Sequence, residues 1–300
     1  MAELTKTEIP EQYREGWTVI RSSGVGGVND CFRRWAGSSL RKEVREAGYR
    51  LADLRKSIGA PVGTGVHAGA AFLLDLKAKS KRAEWKPLPE TLRNATKHAM
   101  ESFSHELTIE PIAPDDTTPN PTHAEMQIDA MLTVFARDVL HLLQPHMVER
   151  RLFAVVSEKQ KIVLSGQGDL LTKTPEGDVV DFKTGRGKPR QYHAQLGTYS
   201  MLYRTYGQET RRASVIFIPR VKVSKPQPPA TIIPYDLDLC EQVAESCIKD
   251  IVAKVAEFRE TRNPMVFPAN PNSSLCSATW CPCHGTSFCR EHTDAETKTW

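Results

Sequence analysis

Two aspartates and a lysine carry the strongest chemical signal in this 300-residue chain. Asp169 closes a Gly-Gln-Gly-Asp stretch, and Asp181-Phe182-Lys183 lies in the next apolar run. On an extended strand, residues two apart share a face, so Asp181 and Lys183 point one way and Phe182 points into a core. A turn across Pro175-Glu176-Gly177-Asp178 folds the two runs into a hairpin and sets Asp169 beside Asp181. Two carboxylates at that range repel, and one takes up a proton unless a divalent cation neutralises them. Mg²⁺ or Mn²⁺ prefers oxygen ligands and keeps several waters, which suits such a pair, and the Phe182 carbonyl is a further oxygen donor. Lys183 is then placed to polarise an attacking water or to neutralise charge growing on a phosphate. Asp-x-Lys alone more often marks a solvated hairpin. The next segment raises its value: a predicted helix puts Gln195 and Tyr199 four residues apart, on one face beside the hairpin.

These residues need a frame, and the apolar periodicity supplies one. Leu40, Val44, Leu51 and Leu54 predict a helix over residues 37–57, broken by the stretch from Gly59 to Gly65. A second helix carries His67 to Lys79, a third spans Pro89 to Leu107, residues 109–122 read as a loop, and Glu125–Met147 resumes helical spacing. From Leu152 the pattern turns to short β-rich runs at 152–157, 161–164, 168–172 and 179–183. A helix over 191–206, strands at 213–219 and 230–235, and a helix from Leu237 to about residue 262 complete the order. Such an order predicts an α/β fold: a mixed central sheet flanked by helices. One domain is expected, helical over 1–150, α/β over 151–262, with a cysteine-rich tail over 263–300.

The bulk properties exclude more than they assign. A net charge of +4 is mild, and ordinary apolar content argues against whole-chain disorder. The N-terminal residues have no signal-type apolar core, and no stretch reaches the roughly 20 apolar residues of a membrane span, so a cytosolic protein is expected. Between Arg33 and Lys56 lie eight basic and three acidic residues. Arg33, Arg41 and Arg45 there could track a phosphate backbone, or the run could be a solvated helix face.

Seven cysteines in a reducing compartment argue against a disulfide framework. Cys31 stands alone, and Cys240 and Cys247 read as small buried apolar residues. Cys276, Cys281, Cys283 and Cys289 crowd a loop with little else to build a core, a metal-site composition that fits no common zinc template.

Taken together, Gly166-x-x-Asp169, then Asp181-x-Lys183-Thr184-Gly185, then Gln195-x-x-x-Tyr199 resembles the signature of the RecB-like branch of the PD-(D/E)XK nucleases. That branch includes helicase-linked repair nucleases, phage exonucleases and nucleases of CRISPR adaptation. Gly65-Val66-His67 resembles the family's Gly-x-x-His step, whose histidine binds a metal, and Arg21-Ser22-Ser23 through Cys31 resembles its opening Ser-containing segment. The resemblance implies a restriction-endonuclease-like core and a DNA exonuclease acting on single strands or free ends. A structure- or site-directed endonuclease, or a non-catalytic nucleic-acid binding module, is the alternative. It assigns metal binding to His67, Asp169, Asp181 and the Phe182 carbonyl, and catalysis to Asp169, Asp181, Lys183, Gln195 and Tyr199. It also implies a [4Fe–4S] cluster held by Cys31 with Cys276, Cys281 and Cys289, Cys283 being the substitute. The near spacing departs from the family's C-x2-C-x5-C, and a structural zinc within the tail, with His284, competes. Glu158 is a further acidic candidate. Since no G-x-x-x-x-G-K-[ST] motif is present, unwinding would need a helicase or recombination partner, and oligomers are compatible with the family.

Overall fold

The computed structural model describes residues 5–6, 16–80, 85–109, 112–175, 177–187 and 191–289; Glu176 of the expected turn and the last residues of the tail lie outside them. Short strands β1 (Thr5–Lys6) and β2 (Thr18–Arg21) lead to helices α1 (Ser22–Val25), α2 (Phe32–Ser39) and α3 (Arg41–Glu46). Strand β3 (Lys56–Ser57), helices α4 (Gly59–Lys79) and α5 (Pro89–Ile109), strand β4 (Ile112–Ala113) and helix α6 (Pro121–Asp138) come next. The second half holds β5 (Pro145–Ser157), β6 (Ile162–Thr172), β7 (Asp178–Gly185), α7 (His193–Thr205), β8 (Arg212–Pro219), β9 (Thr231–Tyr235) and α8 (Leu237–Thr261).

The main sheet runs β1-β5-β6-β7-β8-β9, mixed in direction, as the α/β expectation required. Its useful irregularity is at β6. The first half of β6 pairs in parallel with β2, from Thr18↔Ile162 to Arg21↔Ser165. Its second half pairs antiparallel with β7 only at Leu170↔Val180 and Leu171↔Val179. Between those pairings, Gly166 to Asp169 borders a fork in the sheet.

Helices cover both faces. Val180, Phe182 and Ile216 pack with α4, α5 and α6, while Val179 and Val215 pack with α7 and α8. The parity of Val179 therefore carries Asp181 and Lys183 to the α7 side and buries Phe182 opposite, as alternation predicts. Burying a phenylalanine contributes about 1.5–3 kcal/mol, so slipping the register by one residue is costly.

Four predicted boundaries fail. The helix expected over 37–57 is two short helices ended at Gly48, whose φ of +88° suits glycine. Leu51 then turns to the tail instead, and the Ala52 N–H donates to the Pro282 carbonyl at 2.8 Å. The stretch from Gly59 to Gly65, expected as the break between two helices, is instead the first part of α4. A Cβ at Gly63 would lie 2.7 Å from Thr184 Oγ1, and one at Gly65 would lie 2.8 Å from the Ala99 carbonyl. These glycines let α4 approach β7 and α5, which outweighs their helix cost of about 1 kcal/mol each. The helix expected to reach Met147 ends at Asp138, and the strand begins at Pro145, a residue that a helix interior rejects. The runs expected at 161–164 and 168–172 are one continuous strand, β6.

Candidate active site and metal centre

At the fork the sheet leaves backbone groups without ladder partners, and side chains take them up. Asp169 on β6 lies across from Asp181 on β7, one residue beyond the last paired positions. Asp169 Oδ2 accepts the Phe182 N–H at 2.5 Å, the donor that strand divergence frees. Asp169 Oδ1 lies 3.0 Å from His67 Nδ1, delivered by α4. Lys183 Nζ pairs with Asp181 Oδ2 at 2.6 Å. From α7, Gln195 Nε2 donates to Asp181 Oδ1 and to the Tyr199 hydroxyl, both at 2.9 Å. The structure thus brings together His67, Asp169, Asp181, Lys183, Gln195 and Tyr199.

The carboxylates are nearly inaccessible, Asp169 at 5% exposure and Asp181 at 2%. Repulsion between them was expected to demand a divalent cation. Instead each already has its own cationic partner. Burial opposes charge on Asp169, but the His67 ring and the Phe182 N–H outweigh it and hold the carboxyl below its usual range. Burial likewise opposes charge on His67, yet the Asp169 carboxylate raises it to about 9. Burial pushes Asp181 up to about 6 against the pull of Lys183.

One acidic group escaped the sequence reading. Glu149 on β5 faces Asp169 across the ladder, flanked by the pairs Val148↔Leu170 and Arg150↔Gly168. Burial, reinforced by the Asp169 charge, pushes Glu149 up to about 7. Gln167 donates to Glu149 at 2.6 Å and itself accepts from Arg151 at 2.6 Å. The signal was faint, because the charged run Glu149-Arg150-Arg151 masks strand alternation. Glu158, the acidic residue suggested instead, is exposed at the β5–β6 turn and its carbonyl caps Lys161.

The donor set suits a hard cation. Among the described residues, His67, Glu149 and Asp169 are the group whose ligand atoms all lie within 4.8 Å of one another. The Tyr203 hydroxyl, fully buried against Gly168, has no hydrogen-bond partner there. A buried orphan hydroxyl costs about 1–3 kcal/mol. A hydrated ion held by these carboxylates would bring water to it. Beside this centre lies a cleft of about 310 Å³ lined by Arg21, Ser22, Ser23, Glu149, Arg151 and Tyr199. A second groove, of about 610 Å³, leads from Gln195 past Tyr192 and His193 to Asn29, Arg34 and Leu275.

The tail assembles differently. Cys31, Cys276, Cys281, Cys283 and Cys289 line one pocket, which His284 does not join. Cys31 Sγ accepts the N–H groups of Arg34 and Asn270, each at 3.4 Å, as a thiolate ligand would. Cys283 Sγ instead donates to the Arg33 carbonyl at 3.3 Å. Sulfurs around a tetrahedral zinc sit roughly 3.8 Å apart, given Zn–S bonds of about 2.3 Å. No three cysteine sulfurs among the described residues are that close together.

The basic run is also resolved. Arg33 is buried, with Nε on the Phe267 carbonyl at 3.1 Å, so it braces the tail and is not available to a phosphate. Arg41 and Arg45 both reach Asp53 at 3.0 Å, and Arg34 pairs with Asp30 at 2.6 Å.

The family model of the PD-(D/E)XK nuclease superfamily matches residues 23–290. The chain belongs to the PD-(D/E)XK nuclease superfamily. It is accordingly a nuclease, a phosphodiesterase of a superfamily that works with divalent metals. Among solved structures, it is similar to the crystal structure named "Putative exonuclease" from Eubacterium rectale, with a TM-score of 0.55 and 11% identity, covering 90% of this chain and 92% of that one. That likeness concerns the nuclease fold alone. A fainter likeness, with a TM-score of 0.28 and 12% identity, covers 68% of this chain and 98% of LHK-Exo, whose structure is a complex with dAMP. No curated protein is a significant match to the sequence. No helix of the described residues is long and apolar enough to cross a membrane.

Proposed function

We propose that this nuclease is a Mg²⁺- or Mn²⁺-dependent DNA exonuclease of the RecB-like branch, acting on single strands or free ends. The observation that carries the proposal is the fork itself, with Asp169 and Asp181 buried face to face and a histidine, a lysine and a third acid, Glu149, converging on them. In this reading His67, Glu149, Asp169, Asp181 and the Phe182 carbonyl hold the divalent ion. The ion supplies Lewis acidity at the scissile phosphate when bound. Lys183 orients and polarises the water that attacks phosphorus in line, and the P–O bond opposite it breaks. Gln195 fixes the Asp181 carboxylate, and Tyr199 fixes Gln195. His67 gives up its proton on ion binding, because only the neutral imidazole is a ligand.

The groove beside Gln195 favours a single strand. Duplex binding requires cations along two phosphate backbones. Here Arg34 is paired with Asp30, and the lining is amide and aromatic, which suits stacked bases. Cys31, Cys276, Cys281 and Cys289 are proposed to hold a [4Fe–4S] cluster that ties the tail to α2, with Cys283 as an unligated thiol. Cys31 shares one pocket with the tail cysteines and His284 does not, which supports a cluster over a zinc held within the tail. Unwinding would come from a separate helicase or recombination partner.

The test is cleavage, with Mn²⁺, of end-labelled linear single strand, linear duplex and circular single strand. Linear single strand is expected to be degraded fastest, and the circle to survive. A circle cut as fast as the linear strand overturns the exonuclease assignment. Asp181→Ala and Lys183→Ala are each expected to lose more than about 90% of the rate with the fold intact; a smaller loss, under about 1.4 kcal/mol, overturns the site assignment.

A further inference from the structure

Lys183 has two partners that a bound cation would set against each other. Its ammonium lies 2.6 Å from Asp181 Oδ2 and 4.7 Å from the centre of the Tyr192 ring. Tyr192 belongs to none of the motif steps. It is the half-buried residue that precedes α7, and it lines the groove leading to Gln195. Its place is fixed from two sides. The Tyr192 carbonyl accepts the Leu196 N–H at 3.0 Å, which starts α7, and Tyr235 hydrogen-bonds its backbone.

A divalent ion held by Asp181 would take the carboxylate partner of the Lys183 ammonium and would add like charge nearby. An aromatic face within about 6 Å attracts an ammonium through the ring quadrupole. We propose that Tyr192 is a positioning residue for Lys183, a role that rests on the proposed metal-dependent reaction. When the ion occupies Asp181, the ring retains the ammonium beside the scissile phosphate and keeps it from competing for the carboxylate. Helix α7 thereby governs both Asp181 oxygens, Gln195 binding one and Tyr192 drawing the lysine from the other. The face of the ring does this work, so the hydroxyl is dispensable.

The experiment measures Mn²⁺ affinity of the full chain by calorimetry and, separately, kcat and KM on a linear single strand. Tyr192→Leu is expected to weaken Mn²⁺ binding by about three- to tenfold and to lower kcat about tenfold, with KM changed less than about twofold. Tyr192→Phe is expected to restore both. In a Lys183→Ala background, Tyr192→Leu is expected to change Mn²⁺ affinity by less than about twofold, since the partner it acts through is gone. An undiminished effect in that background, or failure of the phenylalanine to restore affinity, overturns the role. A wild-type protein that binds no Mn²⁺ overturns the metal reading and this role with it. Wild-type binding matched by Tyr192→Leu overturns the positioning role alone.

Discussion

The fork and the cysteine tail each gather candidate ligands for a proposed positive centre, and they do so in opposite ways. At the fork, regular strands hold the carboxylates, and His67 and Lys183 balance their charge within the protein. In the tail, loops carry the thiols, and one ligand candidate, Cys31, comes from the other end of the chain. Phe267 and Phe288 bury themselves on Phe258 with ring centroids 5.2 and 6.1 Å away, but they pack beside the thiols without tying them together. The fork is thus preorganised by backbone and electrostatics. In the tail, the proposed cluster would supply the tie.

The largest effect expected from that contrast is in Cys31→Ser. Losing a ligand of the proposed cluster would remove folding energy, because the ligands meet only in the folded chain. Iron and sulfide content should fall away and Tm should drop by roughly 10 °C, at about 2–4 °C per kcal/mol. Cys283→Ser keeps the bond to the Arg33 carbonyl and should retain iron, with Tm within about 3 °C of wild type. Full metal retention in Cys31→Ser would break the contrast and leave a site local to the tail.

Next in size is the brace under the fork. Arg220 donates its N–H to the Gly185 carbonyl at the end of β7, and its guanidinium pairs with Asp115 at 2.6 Å against the start of α4. Burial opposes charge on Asp115, but the Arg220 guanidinium and the Thr117 and Thr118 N–H groups hold its carboxyl well below the usual range. Asp115→Asn leaves Arg220 without its counter-charge and should cost about 3 kcal/mol in urea unfolding at about pH 7, with iron content unchanged. The sign comes from the depressed value. The advantage of wild type over Asp115→Asn is full above the ordinary carboxylate range and shrinks as pH falls below it. An advantage that persists unchanged to strongly acidic pH would show that the carboxylate charge is not its source.

The smallest expected effect sharpens the comparison most. Burial and the Asp169 charge raise Glu149 to about 7, so only above that pH is it mostly ionised against both. In metal-free protein at about pH 8, Glu149→Gln should therefore raise stability by about 1–3 kcal/mol. The same change should shrink the rise in Tm that Mn²⁺ produces, since ligand binding stabilises only through its affinity for the folded state. A Glu149→Gln protein less stable than wild type without metal would mean that the acid is structural.

The sequence alone determined the local pattern of the candidate site. Asp169, Asp181 and Lys183 declare themselves because strand alternation is local, and Gln195 and Tyr199 because helix periodicity is local. The α/β order was legible for the same reason, strand by strand and helix by helix. What the tertiary structure decided concerns partners distant in the chain. Glu149 joins the site only through the β5–β6 ladder, and the glycines of α4 make sense only against Thr184 and the Ala99 carbonyl. Arg33 looked like a phosphate contact until the tail closed over it. Periodicity reports which face of an element is apolar, but not which other element arrives to cover it, and each of these roles was set by that arrival.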